Sequence, residues 1–225
     1  MDVPSPNCDA RPGGVIDHLV LHYTGMRSAA AAIARLCDPA ARVSAHYVVD
    51  EDGTICRLVD EPGRAWHAGV SVWRGVRGLN DRSIGIEIVN PGHEWGYRPF
   101  PDTQTAAVLA LCQEIVGRWP IPARNVVAHS DIAPDRKQDP GELFPWRWLA
   151  ARGIGLWSDD FAAPGDLQAD LAAIGYAEDM PQEVVVRAFQ RHFLPDRLGR
   201  GADDATRARA AAIRRLAEEE LTGVE

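Results

Sequence analysis

Ser83-Ile84-Gly85-Ile86-Glu87-Ile88-Val89-Asn90 is the stretch on which the fold turns. It is apolar at nearly every position, rich in β-branched residues and too short for a buried helix. It therefore reads as a strand covered on both faces and central in a sheet. One carboxylate, Glu87, interrupts it. A lone carboxylate in such a run is costly unless it is paired, hydrogen-bonded or protonated, so Glu87 becomes a candidate for chemistry.

Working outward from that strand, Ile16 to Tyr23 reads as a second buried strand with His22 near its carboxyl end, and Arg124 to His129 as a third that closes on a histidine. Strands buried on both faces need helices to cover them. An alanine-rich helix is expected from Ser28 to Cys37. A longer one should run from a cap at Asp102 to about Trp119, with Val108, Leu111, Ile115 and Val116 on one face. His46 to Asp50 and Thr54 to Val59 flank Glu51-Asp52-Gly53, which predicts a hairpin, and Phe144 to Leu149 starts a short closing helix. Residues 1–14 form a Pro/Gly/Asn/Asp arm. Ala65 to Arg82 is a long loop of the kind that often carries function. The fold class expected is α/β, a mixed central β-sheet flanked by helices.

After Leu156-Trp157 the texture changes. Asp159 to Gly165 is linker-like, and three helical patterns follow at Leu167 to Ile174, Glu183 to Phe193, and Asp203 to about Glu220. The expected organisation is a sheet domain over residues 1–158 and a small all-α domain over residues 159–225.

Composition narrows the function classes. Hydrophobic residues make up 46% of the 225 and mean hydropathy is -0.21, enough to bury an ordinary globular core. The net charge of -8 argues against a nucleic-acid partner, which would call for a basic face. From Asp159 onward there are 14 acidic and 8 basic residues, so the acidity is concentrated there and the body is near neutral, free to bind an anionic ligand. No run is long enough to span a bilayer, so no membrane partner is expected. Met1 to Cys8 has neither a basic start nor an apolar core; a cytoplasmic location is expected, or a periplasmic one if a leader has been trimmed. Cys8, Cys37, Cys56 and Cys112 form no CxxC pair and read as reduced thiols, Cys37 and Cys112 as small hydrophobes on helices.

The chemistry-bearing stretch is His129-Ser130-Asp131-Ile132-Ala133-Pro134-Asp135-Arg136-Lys137-Gln138-Asp139-Pro140-Gly141, whose Lys137 is the only lysine of the chain. His22, His129 and Asp139 are ligand types suited to Zn²⁺, and a catalytic zinc takes three protein ligands with one position open. Such a zinc lowers the pKa of water to about 7 and polarises a carbonyl oxygen. Glu87 would then serve as general base, and Lys137 would set an ammonium against an oxyanion. Each residue also has an ordinary reading: His22 as a hydrogen-bonded core histidine, Asp139 as a turn residue, Glu87 as the partner of an arginine such as Arg82, Lys137 as a solvated charge. No HExxH signature decides between them.

Several ordered segments carry a resemblance. Leu21-His22-Tyr23-Thr24, Ser44-Ala45-His46-Tyr47, Ala65-Trp66-His67-Ala68-Gly69, Ser83-Ile84-Gly85-Ile86-Glu87 and His129 to Pro134 with Lys137 and Asp139-Pro140-Gly141 resemble the zinc-dependent N-acetylmuramoyl-L-alanine amidases, the family that includes AmpD and the peptidoglycan-recognition proteins. They span roughly residues 15–150. The resemblance implies His22, His129 and Asp139 as zinc ligands, Glu87 as the catalytic carboxylate and Lys137 as transition-state stabiliser. It also implies peptidoglycan fragments as partners, cut between N-acetylmuramic acid, expected in its anhydro form, and L-alanine of the stem peptide. His46 would orient a ligand or be a satisfied buried residue. His67 and Trp66 would line the substrate groove, and Arg64 and Asn80 would meet sugar or carboxylate groups. Trp73 and Trp95 would stack on sugar or be core. Competing classes are a hydrolase of intact wall, a non-catalytic recognition protein, and a structural zinc protein in which His46 closes a fourth position. The C-terminal segment, through Leu167-Gln168, Leu171, Ile174-Gly175-Tyr176, Ala188-Phe189-Gln190, Asp203 and Thr206, resembles the three-helix peptidoglycan-binding module. Its loop from Pro195 to Gly201 departs from the usual Asp-Gly turn, which leaves wall binding or simple bracing open.

Overall fold

A computed structural model describes residues 1–222. Its main sheet has five strands: β1 (His18–Tyr23), β2 (Tyr47–Val49), β3 (Ile55–Arg57), β4 (Ser83–Ile88) and β5 (Val126–Ala128), in the order β3-β2-β4-β1-β5. β1, β2, β4 and β5 run parallel and β3 is antiparallel to β2. The mixed α/β sheet expected from sequence is therefore present, with β4 and β1 at its centre. The hairpin turns where expected, with Gly53 at φ +87°, a left-handed conformation that glycine adopts without a Cβ penalty.

Alternation along the strands sorts residues onto two faces. Leu19, Leu21, Ile84, Ile86, Ile88 and Val126 point to one side and pack under helix α1 (Asp102–Arg118), which contributes Val108, Leu111, Cys112 and Ile115. Pro101, not Asp102, occupies the N-cap of this helix, and Asp102 lies in its first turn; a carboxylate there still complements the helix dipole.

The opposite face carries His18, Val20 and His22 on β1 and Ser83, Gly85 and Glu87 on β4. Val20 and Val127 are covered on this side by α2 (Leu167–Ile174), α3 (Gln182–Phe193) and α4 (Asp204–Thr222), whose Leu171, Ile174, Phe189 and Ile213 join one continuous core with Ala68, Trp73, Leu79 and Ile132. Asp166 caps α2 through its side chain. The last three residues of the C-terminal segment, 223–225, lie outside the described ones. Trp73, a candidate for sugar stacking, is 2% exposed and belongs to this core. Among the described residues all four cysteines are free thiols, Cys56 and Cys112 buried, and no helix is long and apolar enough to cross a membrane.

The long loop between Ala65 and Arg82 holds a small hairpin (Val72–Trp73 with Val76–Arg77) and a helical turn (Leu79–Asp81). The N-terminal arm adds a strand, Cys8–Ala10, against Gly63–Ala65.

Candidate active site

Parallel pairing brings the candidate residues together. In register, His22 of β1 lies beside Glu87 of β4. Leu21 pairs with Ala128 of β5, so His129, the next residue, falls beside His22. All three stand at the carboxyl ends of parallel strands, where open α/β sheets place their ligand crevice. Asp139 comes back to this point on the loop after β5, tied in by Ser130 N–H donating to its carbonyl oxygen.

The donor atoms converge. His22 Nδ1 and His129 Nδ1 are 2.8 Å apart, and each lies 3.0 Å from Asp139 Oδ2. All three residues are buried. Protons cannot satisfy this triangle. A neutral imidazole nitrogen either donates or accepts, and the carboxylate only accepts. If both rings donate to Asp139, two N–H groups face each other; if one ring accepts, its lone pair faces the carboxylate. A cation at the centre resolves every edge. Ligand bonds of about 2.0–2.2 Å in tetrahedral geometry put donor atoms roughly 3.3 Å apart, close to the spacing found. The residues fit a metal ion of zinc type.

The charges lean the same way. Burial, reinforced by His129 and opposed by Asp139, brings the His22 pKa down to about 4, so its ring is neutral. Burial alone would raise the Asp139 carboxyl, but His129 and His22 outweigh it and hold it far below the usual carboxylate range. Glu87 runs the other way. Burial first, then Asp139, push its carboxyl well above the usual range, with Lys137 opposing. Its Oε2 is buried without a hydrogen-bond partner. Arg82, the ordinary partner considered from sequence, is bound to Asp17 instead.

A cleft of ≈ 470 Å³ opens over this centre, lined by Tyr23, Trp66, His67, Glu87, Lys137 and Asp139 among others, a size ordinary for a small-ligand site. Lys137 lines this space and has no ion-pair partner among the described residues. Arg136, which sequence did not single out, also lines the cleft. Its guanidinium donates to the carbonyl oxygens of Ala68 (2.6 Å) and Val70, pinning the loop on the far rim; arginine in a loop carries no sequence signal of such a role.

Three other candidates sit behind the cleft. Arg64 is bound by Asp81 and Asp9. The Asn80 side-chain oxygen accepts from the backbone N–H of His67 (3.0 Å) and Ala68 (2.7 Å). His46 Nδ1 accepts from Gly85 N–H (2.9 Å), so its Nε2–H points to the Gly63 carbonyl (3.2 Å). None of the three lines the cleft, and His46 does not join the ligand cluster. Trp95 is 49% exposed, with the Arg27 guanidinium 4.6 Å over its ring.

Residues 12–142 match the Amidase_2 family, N-acetylmuramoyl-L-alanine amidase. The chain belongs to this family. The amidase is 41% identical over 226 residues to N-acetylmuramoyl-L-alanine amidase AmiD of Escherichia coli (strain K12), spanning 87% of this chain and 81% of that protein. Its structure is similar to that of Escherichia coli AmiD in complex with the substrate anhydro-N-acetylmuramic acid-L-Ala-D-gamma-Glu-L-Lys, with a TM-score of 0.79, 38% identity, and coverage of 95% of this chain and 91% of that one. It is also similar to AmpDh3 from Pseudomonas aeruginosa in complex with anhydromuramic pentapeptide, with a TM-score of 0.81, 34% identity, and coverage of 92% and 95%. Both matches run through the C-terminal helices of the amidase as well as its sheet.

Proposed function

We propose that His22, His129 and Asp139 hold Zn²⁺ and that the amidase hydrolyses the bond between anhydro-N-acetylmuramic acid and L-alanine in soluble muropeptides, as in cell-wall recycling. The observation that carries the metal assignment is the triangle of 2.8 and 3.0 Å contacts, which no placement of protons satisfies. The substrate assignment is supported by the two similar structures, each solved with an anhydromuramyl peptide.

Zinc in this place supplies Lewis acidity, lowering the pKa of water to about 7 and polarising the scissile carbonyl. The remaining steps belong to the chain. Glu87, beside His22 in the adjacent strand, takes a proton from the attacking water and delivers it to the departing amine of L-alanine. A carboxyl whose pKa is pushed up is a better proton carrier near neutral pH than an ordinary glutamate, because it can both gain and release the proton. Lys137 places a positive charge on the cleft wall, where it stabilises the oxyanion that develops on the carbonyl. Trp66 and His67 line the cleft beside this centre, and Trp66, half-buried, offers the sugar an apolar face.

The test pairs metal analysis with turnover. Purified protein is assayed for zinc, then given an anhydromuramyl tripeptide and intact sacculi, with and without a chelator. Chelator-sensitive peptide release from the soluble substrate alone is the expected result. Cleavage of sacculi as well would replace the recycling assignment with wall hydrolysis, and activity untouched by exhaustive chelation would remove the metal. The cytoplasmic location belongs with the soluble substrate; fractionation of producing cells checks it, and recovery in the envelope would count against both.

A further inference from the structure

The two histidines at the centre present Nδ1, and each must therefore carry its proton on Nε2. For His129 one contact is enough: Nε2 lies 3.2 Å from the Ala68 carbonyl oxygen, which can only accept. For His22 it is not enough, because Nε2 faces another imidazole, His67 Nδ1, at 3.0 Å. An imidazole can play either part. Left to itself, the negative Asp139 would draw the His22 proton to Nδ1 and close the site to a metal.

The ambiguity is removed further back. Ser83 Oγ donates its single proton to the Leu79 carbonyl oxygen at 2.5 Å. Towards His67 Nε2, 3.1 Å away, the hydroxyl is left with lone pairs, so His67 carries its proton on Nε2 and keeps a lone pair on Nδ1. That lone pair accepts from His22 Nε2–H. His22 then has no proton on Nδ1, the atom aimed at His129 and Asp139.

Two further features serve this file of side chains. A Cβ on Gly85 would stand 2.5 Å from His67 Cγ and Nδ1, so glycine at the middle of the Ser83/Gly85/Glu87 face makes the space the ring occupies. Asn80, next to Leu79 in the same turn, accepts from the His67 backbone N–H, so one turn holds both the main chain of His67 and the far end of the file. His67 and Ser83 are both buried.

We propose that Ser83 and His67 form a tautomer relay, anchored on the Leu79 carbonyl, that keeps His22 Nδ1 unprotonated and so available to the metal. Both are positioning residues and act through His22; the proposal rests on the zinc assignment above.

The test has two readouts. Long-range ¹H–¹⁵N imidazole spectra of the metal-free protein assign the tautomers, and competition with a chromophoric chelator measures zinc affinity. The parent should show Nε2–H on both His67 and His22. Ser83→Ala should let both rings change tautomer and weaken zinc roughly 10- to 100-fold, the usual effect of losing a partner behind a ligand. His67→Leu and Gly85→Ala should weaken it similarly, while His67→Asn, which keeps an acceptor near the Nδ1 position, should recover most of the loss. Thermal melts establish that each variant is folded. Parent-like affinity and spectra in Ser83→Ala would overturn the relay, as would equal losses in His67→Leu and His67→Asn. A parent that takes no zinc would sink the metal assignment itself, and the tautomers seen in its spectrum would then decide the relay alone.

Discussion

Replacing Tyr176 with phenylalanine tests how far the C-terminal helices reach into the site. Tyr176 follows α2, is 3% exposed, and its hydroxyl donates to Asp131 Oδ1 at 2.7 Å. Asp131, 1% exposed, accepts at Oδ2 from His192 Nδ1 of α3 (2.6 Å) and from Ala128 N–H (2.8 Å). Ala128 immediately precedes His129, one of the three proposed ligands. Two side chains of the C-terminal segment therefore hold a carboxylate that in turn holds the backbone next to His129.

Tyr176→Phe removes one hydrogen bond and nothing else. The ring keeps its edge contacts with Trp73 (centroids 5.0 Å apart) and Phe189 (6.3 Å), so no cavity cost is added. A hydrogen bond to a buried carboxylate contributes about 1.5–3 kcal/mol, and its loss leaves Oδ1 without a partner. For a chain of this length each 1 kcal/mol lowers Tm by roughly 2–4 °C, so the expected drop lies between about 3 and 12 °C. Urea unfolding of the metal-free protein measures the same loss as a lower midpoint at unchanged slope. Zinc affinity should fall a few-fold, because the anchor beside His129 has slackened. A stability change under about 0.5 kcal/mol would refute the coupling. A full stability loss with unchanged zinc affinity would reduce the helices to a brace.

Glu87→Ala should keep zinc and lose about 10²–10⁴ in kcat, the range of a removed general acid–base; metal analysis alongside steady-state turnover checks this, and full activity would remove Glu87 from the reaction. Lys137→Ala should lower kcat by about 10²–10³ with little change in KM, since its partner charge exists mainly in the transition state; a change in KM alone would make it a substrate-binding residue. Burial, helped by Arg11, brings the His46 pKa down to about 3 against the Gly63 carbonyl and Glu61. The unfolded chain binds this proton from about pH 6.5 downward and the folded protein does not, so the stabilising effect is complete above pH 6.5 and is lost as pH falls towards 3, at about 1.4 kcal/mol per unit. His46→Asn, which keeps an acceptor for Gly85 N–H, should flatten the chelated protein's stability curve between pH 6 and 4.5 by that slope; parallel curves would show that His46 is not the group responsible.

What sequence disclosed and what it withheld divide along a physical line. Helix ends were legible where a side-chain cap marks them, because a cap is local: the expected Leu167 to Ile174 helix is the observed one, and Ser28 caps the alanine-rich helix Ala29–Leu36 through its side chain. By contrast α1, which has no side-chain cap, begins at Asp102 itself, with Pro101 in the cap position. Strand identity was legible for the same reason, since an unbroken apolar run states its own burial. Register was not. Nothing in Ile16 to Tyr23 says that His22 will stand beside Glu87 rather than two residues away, and the site exists only in that register. The polar loop residues were less legible still. Arg64 and Asn80 both read as groups for a ligand, because a polar side chain in a loop does not state which way it faces. In the structure, Asn80 holds two backbone N–H groups and Arg64 two aspartates.

Gly85 makes the difference concrete. Period two along Ser83, Gly85 and Glu87 places the three on one face, and a glycine inside a strand marks a close approach. What approaches is an imidazole from a loop 18 residues upstream, which also meets the hydroxyl of a serine two residues before that glycine. On the mechanism and relay proposed above, the motif Ser-Ile-Gly-Ile-Glu is one device read three ways: a hydroxyl that sets a tautomer, a gap that admits the ring, and a carboxylate that moves the proton. Only Glu87 announced itself in the sequence, because a charge in an apolar run is costly. Ser83 and Gly85 cost nothing there, and so gave no sign of their part until the chain was folded.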